Sequence, residues 1–101
     1  MAVVTVKEVV VALKGAVDPE AGISIVDMGL VYGVRVDSRR NVLVTMTMTS
    51  PMCPVASMML ADVQLRIARI PGVAAAKIDL VWEPSWSPAM MTEELRAQMG
   101  V

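Results

Sequence analysis

The sequence has 101 residues, of which 55% are hydrophobic and 19% are charged, and its formal net charge is −1. It contains one cysteine, Cys53, and no histidine. This excludes a disulfide within one chain, a Ser-His or Cys-His catalytic pair and a tetrahedral zinc site of Cys and His ligands. The length predicts one domain over residues 1–101, and the charge excludes the basic field that attracts nucleic acid.

The N-terminal part of the sequence predicts a helix followed by a packed loop. Thr5 and Glu8 form a capping-box pattern. Apolar residues at helical spacing follow, which predicts a helix over about 6–16 that ends at or before Asp18, since Pro19 disfavours helical backbone there. The loop that follows contains apolar residues that we expect to pack on the core: Ile23, Ile25 and Val26.

The middle of the sequence predicts two antiparallel strands. Apolar and polar residues alternate over residues 30–37 and again over 42–49, with a polar turn between them. A second helix is predicted over about 54–70, with Asp62 and Arg66 as an ion pair on its solvent-exposed face. The residues of its predicted buried face are Ala56, Met59, Leu60, Val63, Ile67 and Ile70.

The C-terminal part predicts a third strand and a short last helix. Pro71-Gly72 ends the second helix, and alternation over 74–82 predicts the strand. Ser87-Pro88 is expected to cap a helix that runs to about Gln98. The order α-β-β-α-β plus a short C-terminal helix predicts an α/β two-layer sandwich, with two helices on one face of a three-stranded mixed sheet.

Cys53 lies where the second strand gives way to the second helix. It comes just before Pro54, which suits the first helical position. The unpaired N–H groups and positive end of a helix favour a thiolate, and such thiolates are nucleophilic and metal-ligating. Thr49 and Ser50 place hydroxyl groups nearby. The alternative is a buried, inert cysteine.

Two other stretches are candidate functional segments. Asp27 lies between apolar neighbours, and if its loop folds over the hairpin end it would be an oxygen ligand or proton acceptor near Cys53. Otherwise, it only caps a turn before Gly29. Large apolar side chains near the C-terminus are candidates for a partner surface or for closing the core: Trp82, Trp86 and Met91.

Taken together, five blocks resemble one known family. These are Asp18-Pro19-Glu20, residues 25–32 (IVDMGLVY), residues 47–54 (TMTSPMCP), Pro71-Gly72-Val73 and residues 81–88 (VWEPSWSP). In this order they resemble the small metal–sulfur cluster assembly factors, similar to SufT and to the core of PaaD. The resemblance covers roughly residues 5–101. PaaD-like proteins carry extra C-terminal cysteines that this chain lacks, which favours the SufT-like branch.

The resemblance implies a fold like the iron–sulfur cluster assembly domain and a role in maturing iron–sulfur proteins rather than an enzymatic turnover. It implies Cys53 as the functional thiol or transient cluster ligand, with Asp27, Thr49 and Ser50 lining the same pocket. The implied partners are the iron–sulfur assembly machinery or client apoproteins. The alternatives are an adaptor module in which Cys53 is not essential and a small thiol-dependent enzyme.

One thiol per chain limits how a cluster is held. Iron–sulfur clusters normally take four thiolates, so Cys53 would be a shared metal ligand, completed by a partner or by a homodimer. We therefore expect a labile or transient cluster or iron, and none tightly bound to a monomer. The sequence lacks the ~18 consecutive apolar residues of a membrane span, and its start lacks the features of a secretory signal. One free thiol and ten methionines favour a cytoplasmic location.

Overall fold

The computed structural model describes residues 4–18, 22–49 and 53–100. The described helices and strands follow one another in this order: α1 (Val6–Leu13), β1 (Val31–Val36), β2 (Asn41–Met46), α2 (Cys53–Ala68), β3 (Ala75–Leu80), a 3-10 helix (Pro88–Met90) and α3 (Glu93–Met99). This order confirms the predicted succession of elements, with a difference at the C-terminus.

Helix α1 begins as predicted and ends earlier. The Thr5 Oγ1 accepts a 3.2 Å hydrogen bond from the backbone N–H of Glu8, so Thr5 is the N-cap. The α-helix ends at Leu13 rather than near residue 16, because the chain tightens into i→i+3 bonds such as Ala16 N to Leu13 O at 2.9 Å. Leu13 and Val9 are fully buried and anchor the helix on the core.

The three strands form one mixed sheet in the order β1-β2-β3. Strand β2 is central, antiparallel to β1 and parallel to β3. On the inner face Val44 lies between Val34 of β1 and Ile78 of β3. Helix α1 contacts β1 and α2, and α2 contacts β3, so both helices cover the same face and the predicted two-layer arrangement is confirmed.

The turn between β1 and β2 is organised by Asp37. Its carboxylate accepts hydrogen bonds from the backbone N–H of Arg39 at 2.8 Å and of Asn41 at 2.9 Å, and from the Asn41 side chain at 3.0 Å. These bonds, those from Asn41 above all, hold the pKa of Asp37 below its ordinary value. Arg40 adopts a positive φ of 64° within the turn.

Helix α2 buries one side and exposes the other. Met59, Val63 and Ile67 are buried against the core, while the predicted ion pair forms between Arg66 Nε and Asp62 Oδ2 at 3.0 Å. The helix includes Cys53, one residue before its predicted start. The side chain of Ala56, predicted to be buried, lies outside the described part of the chain.

The C-terminal segment corrects the sequence prediction. One helix capped by Ser87 was expected, but Ser87 makes no side-chain cap bond and precedes only the 3-10 turn. Helix α3 begins separately, with Thr92 Oγ1 accepting a 3.4 Å bond from Leu95 N. A threonine cap followed by two glutamates in the first turn is a stronger helix-start signal than Ser87-Pro88.

The core lies between the helical layer and the inner face of the sheet. The loop after α1 contributes to it as predicted, since Ile25 is fully buried and Ile23 and Val26 pack against the core partly buried. Within the described ranges, none of the helices has the length and apolar character that crossing a membrane requires.

Candidate functional site

The candidate site lies where β2 leads into α2. Strand β2 ends at Met46 and α2 begins at Cys53, so the backbone of Cys53 is in the first turn of a 16-residue helix. Between these elements Met48 is buried and Thr49 is exposed. Ser50 and the side chain of Cys53 lie outside the described part of the chain.

Thr47 is a buried polar residue in this segment that sequence reasoning did not single out. It is fully buried, and its backbone N–H donates a 2.8 Å bond to the carbonyl of Leu30. On the other side, Val81 N donates a 2.8 Å bond to Met46 O. The Thr47 hydroxyl has no hydrogen-bond partner in the described part of the structure. The alternation over residues 42–49 groups Thr47 with the other threonines, but β2 ends at Met46, and alternation carries no information on the burial of a residue beyond the end of a strand.

The Asp27 loop reaches the same end of the sheet. Leu30, which pairs with Thr47, directly precedes β1, and the end of β2 lies beside the start of β1 because the two strands are antiparallel. The segments that carry Asp27 and Thr49 therefore lie at the same end of the sheet. The approach of Asp27 to the Cys53 side chain stays a prediction.

Backbone bonds and a serine, rather than the Asp27 carboxylate, shape this loop. Met28 N donates to Ser24 O at 3.0 Å, and Gly29 N donates to Val26 O at 3.1 Å. The Ser24 hydroxyl accepts from Val26 N at 3.3 Å. The carboxylate of Asp27 is half-buried and takes part in none of the bonds that close the loop among the described residues. It is thus available for another role.

The C-terminal stretch crosses this loop and holds it in place. Trp86 Nε1 donates a 2.6 Å bond to the carbonyl of Met28, and Thr92 N donates a 2.9 Å bond to the carbonyl of Asp27. Gly29 has a φ of 77°, and a Cβ at that position would overlap the carbonyl of Met90. The loop and the C-terminal stretch are therefore fitted closely to each other.

The three predicted partner-surface residues differ in exposure. Trp82 is 42% exposed, whereas Trp86 and Met91 are half-buried and pack against the core. Close to them, Tyr32 donates a 2.7 Å bond to the Pro84 carbonyl. An open, largely apolar groove of about 510 Å³ runs here, lined by Gly29, Val31, Tyr32, Pro84 and Met90.

Comparison with known proteins identifies the family. The sequence model described as iron–sulfur cluster assembly protein matches residues 7–79. The chain belongs to this family. The matched range contains Asp27, Thr49, Ser50 and Cys53, whereas the C-terminal stretch with Trp82, Trp86 and Met91 lies beyond it. The resemblance predicted from the sequence blocks is thereby confirmed.

Individual relatives agree with the family match over most of the chain. An Fe-S protein maturation auxiliary factor of Porphyromonas gingivalis is 40% identical over 95% of this chain and 91% of its own. The Fe-S protein maturation auxiliary factor SufT of Staphylococcus aureus is 39% identical over 84% of this chain and 97% of its own. A solved structure of a conserved hypothetical protein from Thermotoga maritima has a TM-score of 0.85 and 44% identity, covering 100% of both chains.

Proposed function

We propose that this chain is an iron–sulfur protein maturation factor, with an assembly, carrier or client-targeting role, and that it acts through Cys53. One observation carries the proposal. The family match spans the segment in which the sole cysteine of the chain opens α2, at the end of the sheet that also receives the Asp27 loop. The relatives named as Fe-S protein maturation auxiliary factors support the same role.

The position of Cys53 suits contact with iron or sulfide as cargo. The first turn of an α-helix leaves backbone N–H groups without intrahelical partners, and its end carries partial positive charge. Both features stabilise a thiolate, which is the ligating form of cysteine. In this proposal Asp27 supplies a carboxylate oxygen or accepts a proton, while Thr49 and Ser50 supply hydroxyl groups.

The single cysteine of the chain implies that a cluster is held jointly with another molecule. A cluster normally takes four thiolates, and one chain offers one. The remaining ligands therefore come from the assembly machinery, a client apoprotein or a second chain, and the cluster passes through this protein without remaining on it. Cargo held by few ligands of one chain is easily transferred, which is what a carrier requires.

The test compares Cys53→Ala with a matched control on the same helix. Both proteins are assayed anaerobically for transfer of a reconstituted cluster to an apoprotein that takes up a [4Fe–4S] cluster. We expect Cys53→Ala to lower the transfer rate at least about tenfold, since the thiolate ligand is removed. Ser57→Ala, an exposed position one turn further along α2, should transfer like wild type.

Two outcomes would contradict the proposal. Wild-type transfer by a folded Cys53→Ala protein would remove the thiol from the mechanism. A stable cluster at full occupancy in the isolated monomer would contradict the sharing of ligands, although the maturation role would survive.

The exposure of Trp82, two residues before the groove-lining Pro84, favours a second candidate, a client-docking adaptor in which Cys53 is not essential. Exposed tryptophans are common anchors of protein interfaces. If this role dominates, Trp82→Ala should weaken capture of a client apoprotein while Cys53→Ala leaves both capture and maturation unchanged. The opposite pattern supports the thiol-dependent role.

A further inference from the structure

Strand β3 forms an open edge of the sheet. It pairs with β2 on one side, and no described strand pairs with it on the other. Val81 N, directly after β3, donates to the carbonyl of Met46 in β2, and backbone groups alternate in direction along a strand. The N–H and C=O groups of Ala76, Ile78 and Leu80 therefore face away from β2. Unpaired groups of this kind are a template for pairing with another strand.

One of these outward-facing groups has a substitute partner. The Gln64 side chain of α2 donates a 3.1 Å hydrogen bond from Nε2 to the carbonyl of Ala76. The amide thus occupies the place where the N–H of an adjacent strand would lie. Gln64 is exposed, and an exposed hydrogen bond is exchanged for another at little cost. The Ala76 carbonyl therefore stays accessible to a second strand.

The charged side chains of β3 make this edge complementary to itself. Lys77 and Asp79 are exposed and lie on the same face of the sheet, on either side of Ile78. If a second copy of β3 pairs antiparallel with Ile78 at the two-fold axis, Lys77 lies directly opposite Asp79 of the partner subunit. The four charges then alternate around the axis, because each lysine has an aspartate beside it along its own strand and another across the interface. A lysine alone would repel a second copy, whereas the order Lys77-Ile78-Asp79 matches one.

The apolar face of β3 fits the same register. Ala76, Ile78 and Leu80 are half-buried and lie on the helix-covered face. The register places Ala76 opposite Leu80 of the partner subunit, and Ile78 beside Ile78 of the partner subunit. A small side chain thus meets a large one on each side of the axis, as a self-complementary interface requires. The N–H of Leu80 of the partner subunit takes over the Ala76 carbonyl from Gln64.

An open groove gives the partner strand room beside α2. It has a volume of about 430 Å³ and lies between α2 and the β3 edge. Its lining residues are Ser57, Leu60, Ala61, Gln64, Lys77 and Ile78. Because Ala61 and Ile78 line the same groove, a two-fold axis at Ile78 also brings α2 toward its own copy near Ala61. Ser57 and Ala61 have small side chains one turn apart, which lets two helices approach to about 8 Å.

The charges on this side of the molecule are compatible with the same register. Lys77 is the charged residue of the groove lining, and it meets Asp79 of the partner subunit. Asp62 and Arg66 are on the opposite flank of α2, where the Arg66 guanidinium lies beside Gly15, close to the end of α1. Like charges therefore do not adjoin at the axis.

We propose that the β3 edge is the contact surface of a homodimer. Two three-stranded sheets join antiparallel at β3, with the two-fold axis at Ile78, and form one continuous sheet. Cys53 precedes Ala61 by eight residues of α2, so the two Cys53 backbones are about 24 Å or more apart along the antiparallel helices. The two copies thus do not share one cluster across this interface, and the dimer is independent of the maturation role.

The dimer is testable by sedimentation equilibrium on the full chain. An edge of six residues buries less than the ~1,200 Å² of a standard interface, so association is weak. Between about 10 µM and 1 mM protein, the mean mass should rise with concentration, from 10.8 kDa toward twice that value. Wild-type protein that stays monomeric over this range would overturn the proposal. If that monomer binds a peptide with the sequence of β3, the edge serves a strand of another protein instead.

Charge exchange tests the register. Lys77→Asp and Asp79→Lys each place like charges opposite one another, so each variant should dimerise at least about tenfold more weakly than wild type. An equimolar mixture of the two should associate like wild type, because each position then faces an opposite charge. Arg35→Asp is the matched control, since Arg35 is exposed on β1 at the other edge of the sheet. It changes the net charge as much as Lys77→Asp does and should dimerise like wild type. A mixture that stays monomeric, or an equal loss in Arg35→Asp, would contradict the proposed pairing.

Hydrogen exchange of backbone amides identifies the strand at the interface. The Ile78 amide, followed by NMR, should exchange about twofold or more slowly at about 1 mM than at about 0.05 mM protein, because it binds the carbonyl of Ile78 of the partner subunit. Amides of β1, at the opposite edge, should exchange at the same rate at both concentrations. Dimerisation that leaves the exchange of Ile78 unchanged would show that the copies meet at another surface, and would overturn the proposal. Circular dichroism spectra establish that each variant retains its secondary structure.

Discussion

The indole Nε1 of Trp86 donates a 2.6 Å hydrogen bond to the carbonyl oxygen of Met28, across 58 positions of the sequence. Met28 is buried and belongs to the loop that carries Asp27. The neighbouring carbonyl, that of Asp27, accepts a bond from Thr92 N. The position of a loop at the candidate site therefore depends on a segment that lies beyond the third strand.

Replacing Trp86 tests how much this bond stabilises the fold. Trp86→Phe keeps an aromatic ring in the half-buried position and removes the N–H donor, which leaves the Met28 carbonyl unpaired. We expect a loss of about 1–2 kcal/mol in the free energy of unfolding, measured by urea denaturation. Trp82→Phe is the control and should change stability by less than about 0.5 kcal/mol, because Trp82 is largely at the surface. Equal effects of the two variants would show that the bond to Met28 contributes little.

Gly29 provides a second test of the fit between the loop and the C-terminal stretch. Its φ is 77°, and an added Cβ would overlap the backbone of Met90. Gly29→Ala combines backbone strain with this overlap, so we expect a loss of about 2–4 kcal/mol on thermal or urea unfolding. Gly33→Ala is the matched control, since its Cβ would meet nothing within 4 Å. It should be neutral or stabilise β1 by about 0.5 kcal/mol. Similar losses for both variants would contradict the close approach of Met90.

Most of the fold could be predicted from local patterns in the sequence. Alternation identified all three strands, and the apolar spacing of α2 identified Val63 and Ile67 as core residues. These signals are strong because each strand or helix buries one face on a common core. The last helix was predicted with the wrong start, because Ser87-Pro88 and Thr92 are both helix-start signals and only the second one forms a side-chain cap.

The site was predictable in its chemistry and less so in its geometry. Cys53 and Asp27 stood out as residue types, but the bonds that position the Asp27 loop come from Trp86 and Thr92. Long-range contacts of this kind leave no periodic signal in a sequence. The burial of Thr47 was not predicted for the same reason, since it depends on the contact with Leu30. The single domain and the cytoplasmic location stay predictions.

The lowered pKa of Asp37 predicts that the stability contributed by the β1–β2 turn depends on pH. Hydrogen bonds from Asn41, and then from the backbone of Arg39, lower its pKa below the ordinary 3.8. A carboxylate with a lowered folded-state pKa stabilises the fold above its unfolded pKa, and this contribution is lost as pH falls through the folded value. We expect the stability difference between wild type and Asp37→Ala to be constant above about pH 5 and to shrink below about pH 4.

Urea denaturation from pH 7 to pH 3, with a carboxyl-carbon NMR titration of Asp37, measures this effect. Asp79→Ala is the control, because Asp79 is exposed on β3 and makes no hydrogen bond through its side chain among the described residues. Its stability difference from wild type should not follow the same profile. A titration midpoint of Asp37 at or above 3.8 would contradict the role of the turn bonds.

The buried hydroxyl of Thr47 gives the last prediction. A buried hydroxyl without a partner costs about 1–3 kcal/mol relative to one that is bonded, and an apolar group of the same shape avoids that cost. Thr47→Val should therefore raise the free energy of unfolding by about 1 kcal/mol or more, measured by urea denaturation. Thr47→Ser keeps the hydroxyl and loses a buried methyl group, so it should lower stability by about 1 kcal/mol.

The same pair of variants separates a structural from a functional hydroxyl. If Thr47→Val is more stable and transfers clusters like wild type, the hydroxyl has no part in the site. If Thr47→Val is more stable but transfers poorly while Thr47→Ser transfers normally, the hydroxyl is retained for function at the expense of stability, as is common at binding sites. A less stable Thr47→Val would contradict the prediction, since it would mean that the hydroxyl makes a stabilising bond that the described residues do not account for.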